Sequence, residues 1–402
     1  MAADEPASNG NTPASEDRQT RIEYWGPAIA VSLAMFIAVI DSTLMNVAIP
    51  AIVEDLDTTV TTVQGAIAFY SLVMAALILP GGKLPTIYGI RRLMTVTLIV
   101  YAVGTLLAAI STNAAMLYIG WALIEGAAAA VLIPLTFTVL MFSYEGRDRA
   151  KALGLLAGVN AAGAAVGPIL GGALTTYASW RWGFGLEALV VVVTLFFVRY
   201  VRPGRLTETR GTLDIGGTLL SIAGATTLVT GFLLGGKYGW LLARQPFFVG
   251  DIHFNPVGTS PAIWFIGLGL VAFAAFIQYE ARVERAGGSP LVPSDMLTNS
   301  HFTSGVLTFS VRSIVMAGFI FVVPVYLQSG IGYTAFEAGV AMLPFSVATL
   351  LVSLFTTDWH KYVSQKMLVQ GGIILMGVGL LLLYEQTSLS TSQSRLVRTS
   401  AC

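Results

Sequence analysis

Charged residues are scarce in this sequence. Asp, Glu, Lys and Arg make up 11% of the 402 residues, whereas a soluble domain carries about 25%. Cysteine occurs once, as Cys402, which excludes an intramolecular disulfide and a cysteine-based metal site. The three histidines, His253, His301 and His360, are far apart in the sequence and form no metal-ligand pattern. The formal net charge is zero, so there is no electrostatic basis for nucleic-acid binding.

Apolar residues take the place of the missing charge. They make up 55% of the chain, with a mean hydropathy of +0.75, so lipid is the expected solvent. Eleven segments approach the length of about 20 apolar residues that a spanning helix needs. Long runs with Gly and Pro inside favour helices over the short alternating strands of a barrel. The predicted fold class is all-α transmembrane, with spans near 26–49, 62–82, 93–111, 115–140, 152–175, 182–200, 213–235, 262–280, 303–328, 336–356 and 367–384.

The positive residues predict an orientation. Residues 1–24 are polar and of mixed charge, which is typical of a disordered tail. If this tail is cytoplasmic, sixteen Lys and Arg residues lie in inside loops, and only Arg181, Lys237 and Arg244 lie in outside loops. Because positive residues concentrate in cytoplasmic loops, we predict a multi-pass protein of the plasma (inner) membrane with a cytoplasmic N-terminus. The segment after the last span departs from the rule, since Arg395 and Arg398 would lie outside.

Two parts of the sequence are similar at an offset of 274 residues. This offset pairs Pro50 with Pro324, Tyr88 with Tyr362 and Arg92 with Lys366, and transporters are often built from such repeats. The first copy continues with an apolar span around residue 128, where the second copy has "SLSTSQSRLVRTSAC". We therefore expect the second half to be cut short after about residue 386. The alternative is a natural eleven-helix protein with an outside tail.

The fifth span contains the stretch "GVNAAGAAVGPILGG", residues 158–172. Small residues allow membrane helices to approach backbone to backbone, and a proline inside a helix weakens and bends it. Small-residue packing alone would explain the glycine spacing. The complete G-x3-GP-x3-G pattern in a fifth helix, however, resembles the antiporter signature of the major facilitator superfamily. The residues that carry this resemblance are Gly158, Gly163, Gly167, Pro168, Gly171 and Gly172.

Other stretches resemble the fourteen-helix drug:proton antiporter branch of that superfamily. They include "DSTLMNVAIP" in the first span, "SWRWGFGLE" at the start of the sixth, and "GGKLPTIYGIRR" between the second and third. The last corresponds to the cytoplasmic loop motif of the family, with Gly82, Gly89, Arg91 and Arg92, but its usual acidic residue is replaced by Thr86. In "WALIEGAAAA" the family's Arg and Gln are replaced by Ala122 and Glu125.

The resemblance covers about residues 24–386 and implies a domain organisation. It implies a cytoplasmic tail (1–24), a six-helix bundle (25–205) and a two-helix insertion with linkers (206–300). The first three helices of a second bundle would follow (301–386), and then an aberrant tail (387–402). About 11 of the 14 membrane helices of this branch would be present.

Four charged residues inside the spans are candidates for proton and substrate coupling: Asp41, Glu125, Glu187 and Arg312. A charge in mid-membrane is costly and is usually functional. Loss of hydration disfavours an ionised carboxyl group and a nearby cation favours it, so one carboxyl group can alternate between a proton and a cationic substrate. The alternatives are a water-facing helix end for Asp41 and a structural pair with an arginine for Glu125. Arg312 needs a carboxylate partner or a watery cavity, and Asp41 or Glu125 are the expected partners if the two bundles face each other.

These observations predict a proton-coupled exporter of lipophilic, preferably cationic, small molecules such as drugs. No cofactor is expected, because the proton gradient supplies the energy. The stretch "GFLLGGKY" is similar to a phosphate-binding loop, but Tyr238 replaces the Ser or Thr that holds magnesium, so no nucleotide is expected. No catalytic constellation lies in the spans, which argues against an enzyme. The alternatives are a truncated, non-transporting remnant, a partner-dependent membrane subunit, or an importer of the same fold.

Overall fold

The computed structural model describes residues 14–202, 213–249, 252–253, 258–356 and 363–400. Helices dominate this part of the chain, and its strands form one two-stranded antiparallel ribbon that pairs Phe248 with His253. The elements are α1 (Ala14–Asp55), α2 (Val60–Tyr88), α3 (Ile90–Ala109), α4 (Ala114–Leu117), π1 (Tyr118–Glu125), α5 (Gly126–Ser143), α6 (Gly146–Tyr177), α7 (Arg181–Val198), α8 (Ile215–Tyr238), β1 (Phe248–Val249), β2 (Ile252–His253), α9 (Pro261–Arg285), α10 (Ser294–Thr298), α11 (Ser300–Val325), π2 (Tyr326–Ile331), α12 (Ala335–Ala341), α13 (Leu343–Thr356) and α14 (Gln365–Ser400). π1 and π2 are short π-helical segments.

Ten helical segments in the described residues are long and apolar enough to cross a membrane. They correspond to ten of the eleven predicted spans. The predicted span 336–356 is different, because it is divided at Met342 into α12 and α13. Pro344 has no backbone N–H and its ring excludes the carbonyl group of a preceding helical turn, which explains the break.

The predicted ends of the chain also differ from the structure. Helix α1 begins at Ala14, so the predicted disordered tail 1–24 is helical in its second half; residues 1–13 lie outside the described residues. Part of the predicted linker after the sixth span, residues 203–212, also lies outside them. Helix α14 continues past the predicted end of the last span at 384 and reaches Ser400.

The first seven helices and π1 form one bundle with a continuous buried core. Helix α1 is central, since it packs against α5, α6 and α7. At one end of the bundle, Asp55 of α1 accepts hydrogen bonds from Arg181 and from the indole nitrogen of Trp180, the latter at 3.0 Å. Arg181 also donates to the carbonyl oxygen of Ser111 at 2.6 Å, which fixes the end of α3 to α1 and α7.

Helices α8 and α9 form an antiparallel pair that packs on α2 of the bundle. Both begin with side-chain caps: Asp214 accepts from the backbone of Gly217, and Ser260 from that of Ala262. In the remaining part, α12 and α13 pack on α6. The apolar windows of α11 and α14 contain no buried residue, whereas 61% of the window in α1 is buried.

Candidate functional site

Asp41 lies in the interior of the first bundle and not at a water-facing helix end. Its side chain is fully buried, and the indole nitrogen of Trp121 donates a hydrogen bond to its Oδ1 atom at 2.6 Å. The Trp121 ring in turn stacks on Tyr70 of α2, with 4.9 Å between the ring centroids and 12° between the planes. Helices α1 and α2 and the segment π1 therefore enclose this carboxyl group.

The π1 segment brings Trp121 and Glu125 into the interior together. Single π-helical turns inside membrane helices change which side chains face a given direction and are frequent at functional sites. The close approach of α3 to π1 makes this arrangement possible. A methyl group at Gly104 of α3 would lie 2.7 Å from the backbone nitrogen of Glu125, so only glycine fits there. Both Trp121 and Glu125 are fully buried as a result.

Glu187 of α7 completes a cluster with these two acids. Its side chain is buried, and the Thr105 hydroxyl donates a hydrogen bond to its Oε2 atom at 3.1 Å. One carboxyl oxygen from each of Asp41, Glu125 and Glu187 lies within 4.8 Å of the other two. The structure thus brings together three of the four coupling residues that the sequence predicts, and we call them the carboxyl cluster.

The carboxyl cluster lacks a compensating cation in the part of the chain that the structure describes. The two ion pairs found there, Lys151 with Asp148 and Arg181 with Asp55, lie elsewhere. Four oxygen atoms of the cluster are buried and accept no hydrogen bond: Asp41 Oδ2, both Glu125 oxygens and Glu187 Oε1. Three negative charges without partners are too costly in a dry interior. The cluster must therefore hold protons or a cation.

Arg312 does not join the cluster, so its predicted pairing with Asp41 or Glu125 is wrong in this structure. Its side chain is exposed on α11, and its guanidinium group lies 6.0 Å from the ring centroid of Phe309. The reason is geometric: the three acids face the inside of one bundle, while α11 lies outside that bundle. Asn46 forms a hydrogen bond within its own helix, because its amide nitrogen donates to the carbonyl oxygen of Ser42 at 2.7 Å.

The antiporter-like motif contacts two neighbouring helices, α1 through its glycines and α12 through Pro168. Helix α6 continues through Pro168 without interruption. On one side, a methyl group at Gly163 would lie 3.2 Å from Phe36 and Val39 of α1, and Gly167 packs on Thr43. On the other side, a methyl group at Gly339 of α12 would lie 3.0 Å from the Pro168 backbone. The remaining motif glycines, Gly158, Gly171 and Gly172, lie in the same helix.

A narrow, mainly apolar crevice lies where these helices meet. It is bounded by α1, α6 and the later helices α11 and α13, and among the described residues on its wall the polar side chains are those of Thr43 and Asn46. No carboxyl group of the cluster lines it. The carboxyl cluster and this crevice are therefore separate places, and α1 contributes residues to both. Its wall includes Thr43, Asn46, Pro168, Ile320, Pro324 and Phe345.

The loop motif forms a tight turn and an anchor. Gly82 lies in α2, Gly89 connects α2 to α3 with a φ of 81°, and Arg91 and Arg92 lie in the first turn of α3. Lys83, which sequence reasoning did not single out, donates from its Nζ atom to the carbonyl oxygen of Pro290 at 2.8 Å. This bond fastens the segment after α9 to the end of α2.

Sequence reasoning also missed Glu280 of α9. Its side chain is buried and accepts hydrogen bonds from the backbone nitrogens of Leu291 at 2.6 Å and Val292 at 3.4 Å. Its position near the end of an apolar span was an available signal. Trp121 had a signal too, because it lies four residues before Glu125 in an apolar helix.

Comparison with known proteins identifies the fold. The sequence profile of the Major Facilitator Superfamily matches residues 31–392. The puromycin resistance protein of Streptomyces alboniger is 28% identical over 90% of this chain and 67% of its own length. The cephamycin export protein of Amycolatopsis lactamdurans is 29% identical over 86% of this chain and 68% of its own length. A multidrug transporter of Bacillus subtilis is 26% identical over 92% and 63%.

This chain spans about two thirds of the length of these relatives. The profile match and the ten membrane-length helices confirm the predicted all-α transmembrane fold of a multi-pass membrane protein. They also confirm the expectation that the chain is not an enzyme, because the matched family and the relatives are transporters and resistance proteins.

Proposed function

Because the chain belongs to the major facilitator superfamily, we propose that it is a proton-coupled exporter of lipophilic, preferably cationic, small molecules. The observation that carries the proposal is the carboxyl cluster: three buried acids within 4.8 Å of one another, without a basic partner in the described residues. The names of the relatives, which include puromycin resistance and cephamycin export, support the direction and the kind of substrate.

The cluster suits the coupling step because proton binding and substrate binding can exclude each other there. Charges interact strongly where water is excluded. A cluster that has lost a proton attracts a cation bound nearby, and a bound cation in turn favours release of the proton. Separation of the cluster from the apolar crevice requires the effect to act along α1, which carries Asp41 and also Thr43 of the crevice wall. No cofactor is needed, since the proton gradient drives the exchange.

We further propose the plasma membrane as its location, with the N-terminus in the cytoplasm. The support is the distribution of Lys and Arg along the sequence. In that orientation Lys83, Arg91 and Arg92 lie on the cytoplasmic side, as in the loop motif that they resemble.

The test is transport in everted membrane vesicles with an acidic interior. Addition of puromycin, or of a lipophilic dye cation, should release protons from vesicles that contain the protein. Asp41→Asn should abolish this release, while Asp57→Asn, which changes an exposed acid in the α1–α2 turn, should leave it intact. Full proton release by Asp41→Asn would contradict the proposal.

A partner-dependent membrane subunit is the second candidate. The observation in its favour is the absence of buried residues from the apolar windows of α11 and α14. If it is correct, purified protein in lipid vesicles should show no flux, and flux should appear only when a second membrane protein is co-expressed. Flux from the purified chain alone would exclude it.

A further inference from the structure

The carboxyl cluster has the dimensions of a metal site. Its three carboxyl oxygens lie within 4.8 Å of one another, so a central ion would lie at most about 2.8 Å from each of them. Oxygen–calcium distances in proteins are about 2.3–2.6 Å, whereas magnesium requires about 2.0–2.1 Å in a rigid octahedron. The cluster can therefore hold an ion of the size of Ca²⁺ with little or no contraction, whereas Mg²⁺ requires shorter distances and a rigid octahedron.

Its donor atoms are also those that a hard cation prefers. Carboxylate and hydroxyl oxygens favour calcium-like ions over the softer transition metals. Beside the acids, the Tyr101 hydroxyl is fully buried, has no hydrogen-bond partner within 3.5 Å and lies near all three acids. This neutral group is independent of the acids and faces the same space. Thr105 adds a second hydroxyl, which already bonds Glu187.

From this geometry we infer that Asp41, Glu125 and Glu187 form a binding site for one hard divalent cation of the size of Ca²⁺, which exchanges with protons. The inference rests on the proposed function only in that it uses the same three carboxyl groups. A divalent cation together with one remaining proton would neutralise the cluster. It would also provide a partner for the four buried oxygens that have none.

Exchange with protons gives the site a definite dependence on pH. Metal ions bind carboxylates, and protons compete for the same oxygens, so affinity rises with pH and binding releases protons. Among the described residues the cluster contains only carboxyl groups, so no thiol or imidazole ligand contributes to the titration. Because Trp121 bonds Asp41, its fluorescence should report the event.

The experiment is a cation titration of the purified full chain in detergent, after dialysis against a chelator. Radioactive Ca²⁺ is followed by equilibrium dialysis at pH 6 and pH 8, with Mg²⁺ and Na⁺ as competitors, and proton release is recorded in weak buffer. We expect one Ca²⁺ per chain at pH 8, with about tenfold weaker binding at pH 6. Mg²⁺ should compete about tenfold less well than Ca²⁺.

Matched variants locate the site. Glu125→Gln and Glu187→Gln should weaken Ca²⁺ binding by about tenfold or more, and Asp57→Asn should bind as the unchanged protein does. The titration of the unchanged protein remains decisive if a variant does not fold. Absence of saturable Ca²⁺ binding at pH 8, displacement of Ca²⁺ by equimolar Na⁺, or binding that survives both glutamate variants would overturn the inference.

Failure of the metal site and failure of the proposed transport function give different experimental results. If drug-induced proton release persists in a chelator and Ca²⁺ does not bind, the metal site is wrong and proton-coupled export stands. If Ca²⁺ binds in the predicted way but no substrate releases protons, the metal site stands and the exporter proposal fails.

Discussion

The first bundle and the helices that follow it differ in how much of their apolar surface is buried inside the protein. In α1, 61% of the apolar window is buried, and the bundle around it encloses three acids. In α11 and α14 the corresponding fraction is zero, and the one charged side chain in the middle of α11, Arg312, is exposed. The apolar windows of α1, α11 and α14 have nearly the same mean hydropathy, 2.1, 2.2 and 2.1. The difference is close helix packing, which excludes lipid and water and creates an interior in which an ionised carboxyl group is costly.

Replacement of a single glycine in the first bundle should have the largest effect on stability. Gly104→Ala puts a methyl group 2.7 Å from backbone atoms of Glu125 and Gly120, which cannot move independently. Overpacking of this kind costs about 1–3 kcal/mol. We expect a clear loss of thermal stability in detergent. Gly377→Ala in α14 is the matched control, since nothing lies within 4 Å of the added methyl group. Equal effects of the two changes would refute the packing difference.

A smaller effect is expected from Trp121→Phe. The phenyl ring can still stack on Tyr70, but the hydrogen bond to Asp41 is lost. The loss of one such bond costs about 1 kcal/mol. The variant should therefore fold, with slightly reduced thermal stability and with reduced drug-induced proton release. Trp182→Phe changes an exposed ring of α7 and serves as control. Unchanged proton release by Trp121→Phe would show that this bond does not position Asp41.

Removal of the hydrogen bond between Lys83 and Pro290, at the end of α2, should have a local effect. Lys83→Met deletes the bond to Pro290 and frees the segment after α9 from α2. A cost of about 1 kcal/mol or less is expected for one hydrogen bond. Trypsin should cut faster after Arg285, which lies at the exposed end of α9. Lys151→Met, at an exposed ion pair with Asp148, should not change the cleavage rate. The anchor has no role if the two variants are cleaved alike.

The smallest effect is expected at Arg312. An exposed side chain without a carboxylate contact should be replaceable, so Arg312→Gln should change stability by less than about 0.5 kcal/mol. Thermal unfolding measured beside Glu187→Gln would compare the exposed and the buried charge directly. A large loss for Arg312→Gln would favour the pairing with Asp41 or Glu125 that the sequence predicts.

The three acids can be identified from the sequence, but their convergence in the fold cannot. Asp41, Glu125 and Glu187 are recognisable because a carboxyl group in an apolar span is costly. Their convergence depends on how α1, π1 and α7 cross, and no local pattern encodes that. The π-helical segment around Trp121 carries no signal of its own. The wrong partner for Arg312 has the same origin, since charge complementarity was considered without knowledge of which bundle face each residue occupies.

Helix boundaries show a similar limit. Hydropathy locates most spans, because spanning length is set by the bilayer. It cannot detect the break at Met342, where Pro344 interrupts an otherwise apolar run. It also places the start of α1 where apolar residues begin, although the helix extends back to Ala14 through polar residues.

The central claim is that the carboxyl cluster of the first bundle holds protons at neutral pH. Infrared spectroscopy of the purified chain in a chelating buffer tests it most directly, because protonated and ionised carboxyl groups absorb at different frequencies. We expect a protonated-carboxyl band at pH 7 that disappears at high pH. Asp41→Asn, Glu125→Gln and Glu187→Gln should each diminish or alter this band, while Asp57→Asn should leave it unchanged. Fully ionised carboxylates at pH 7, or a band that none of the three variants affects, would contradict it.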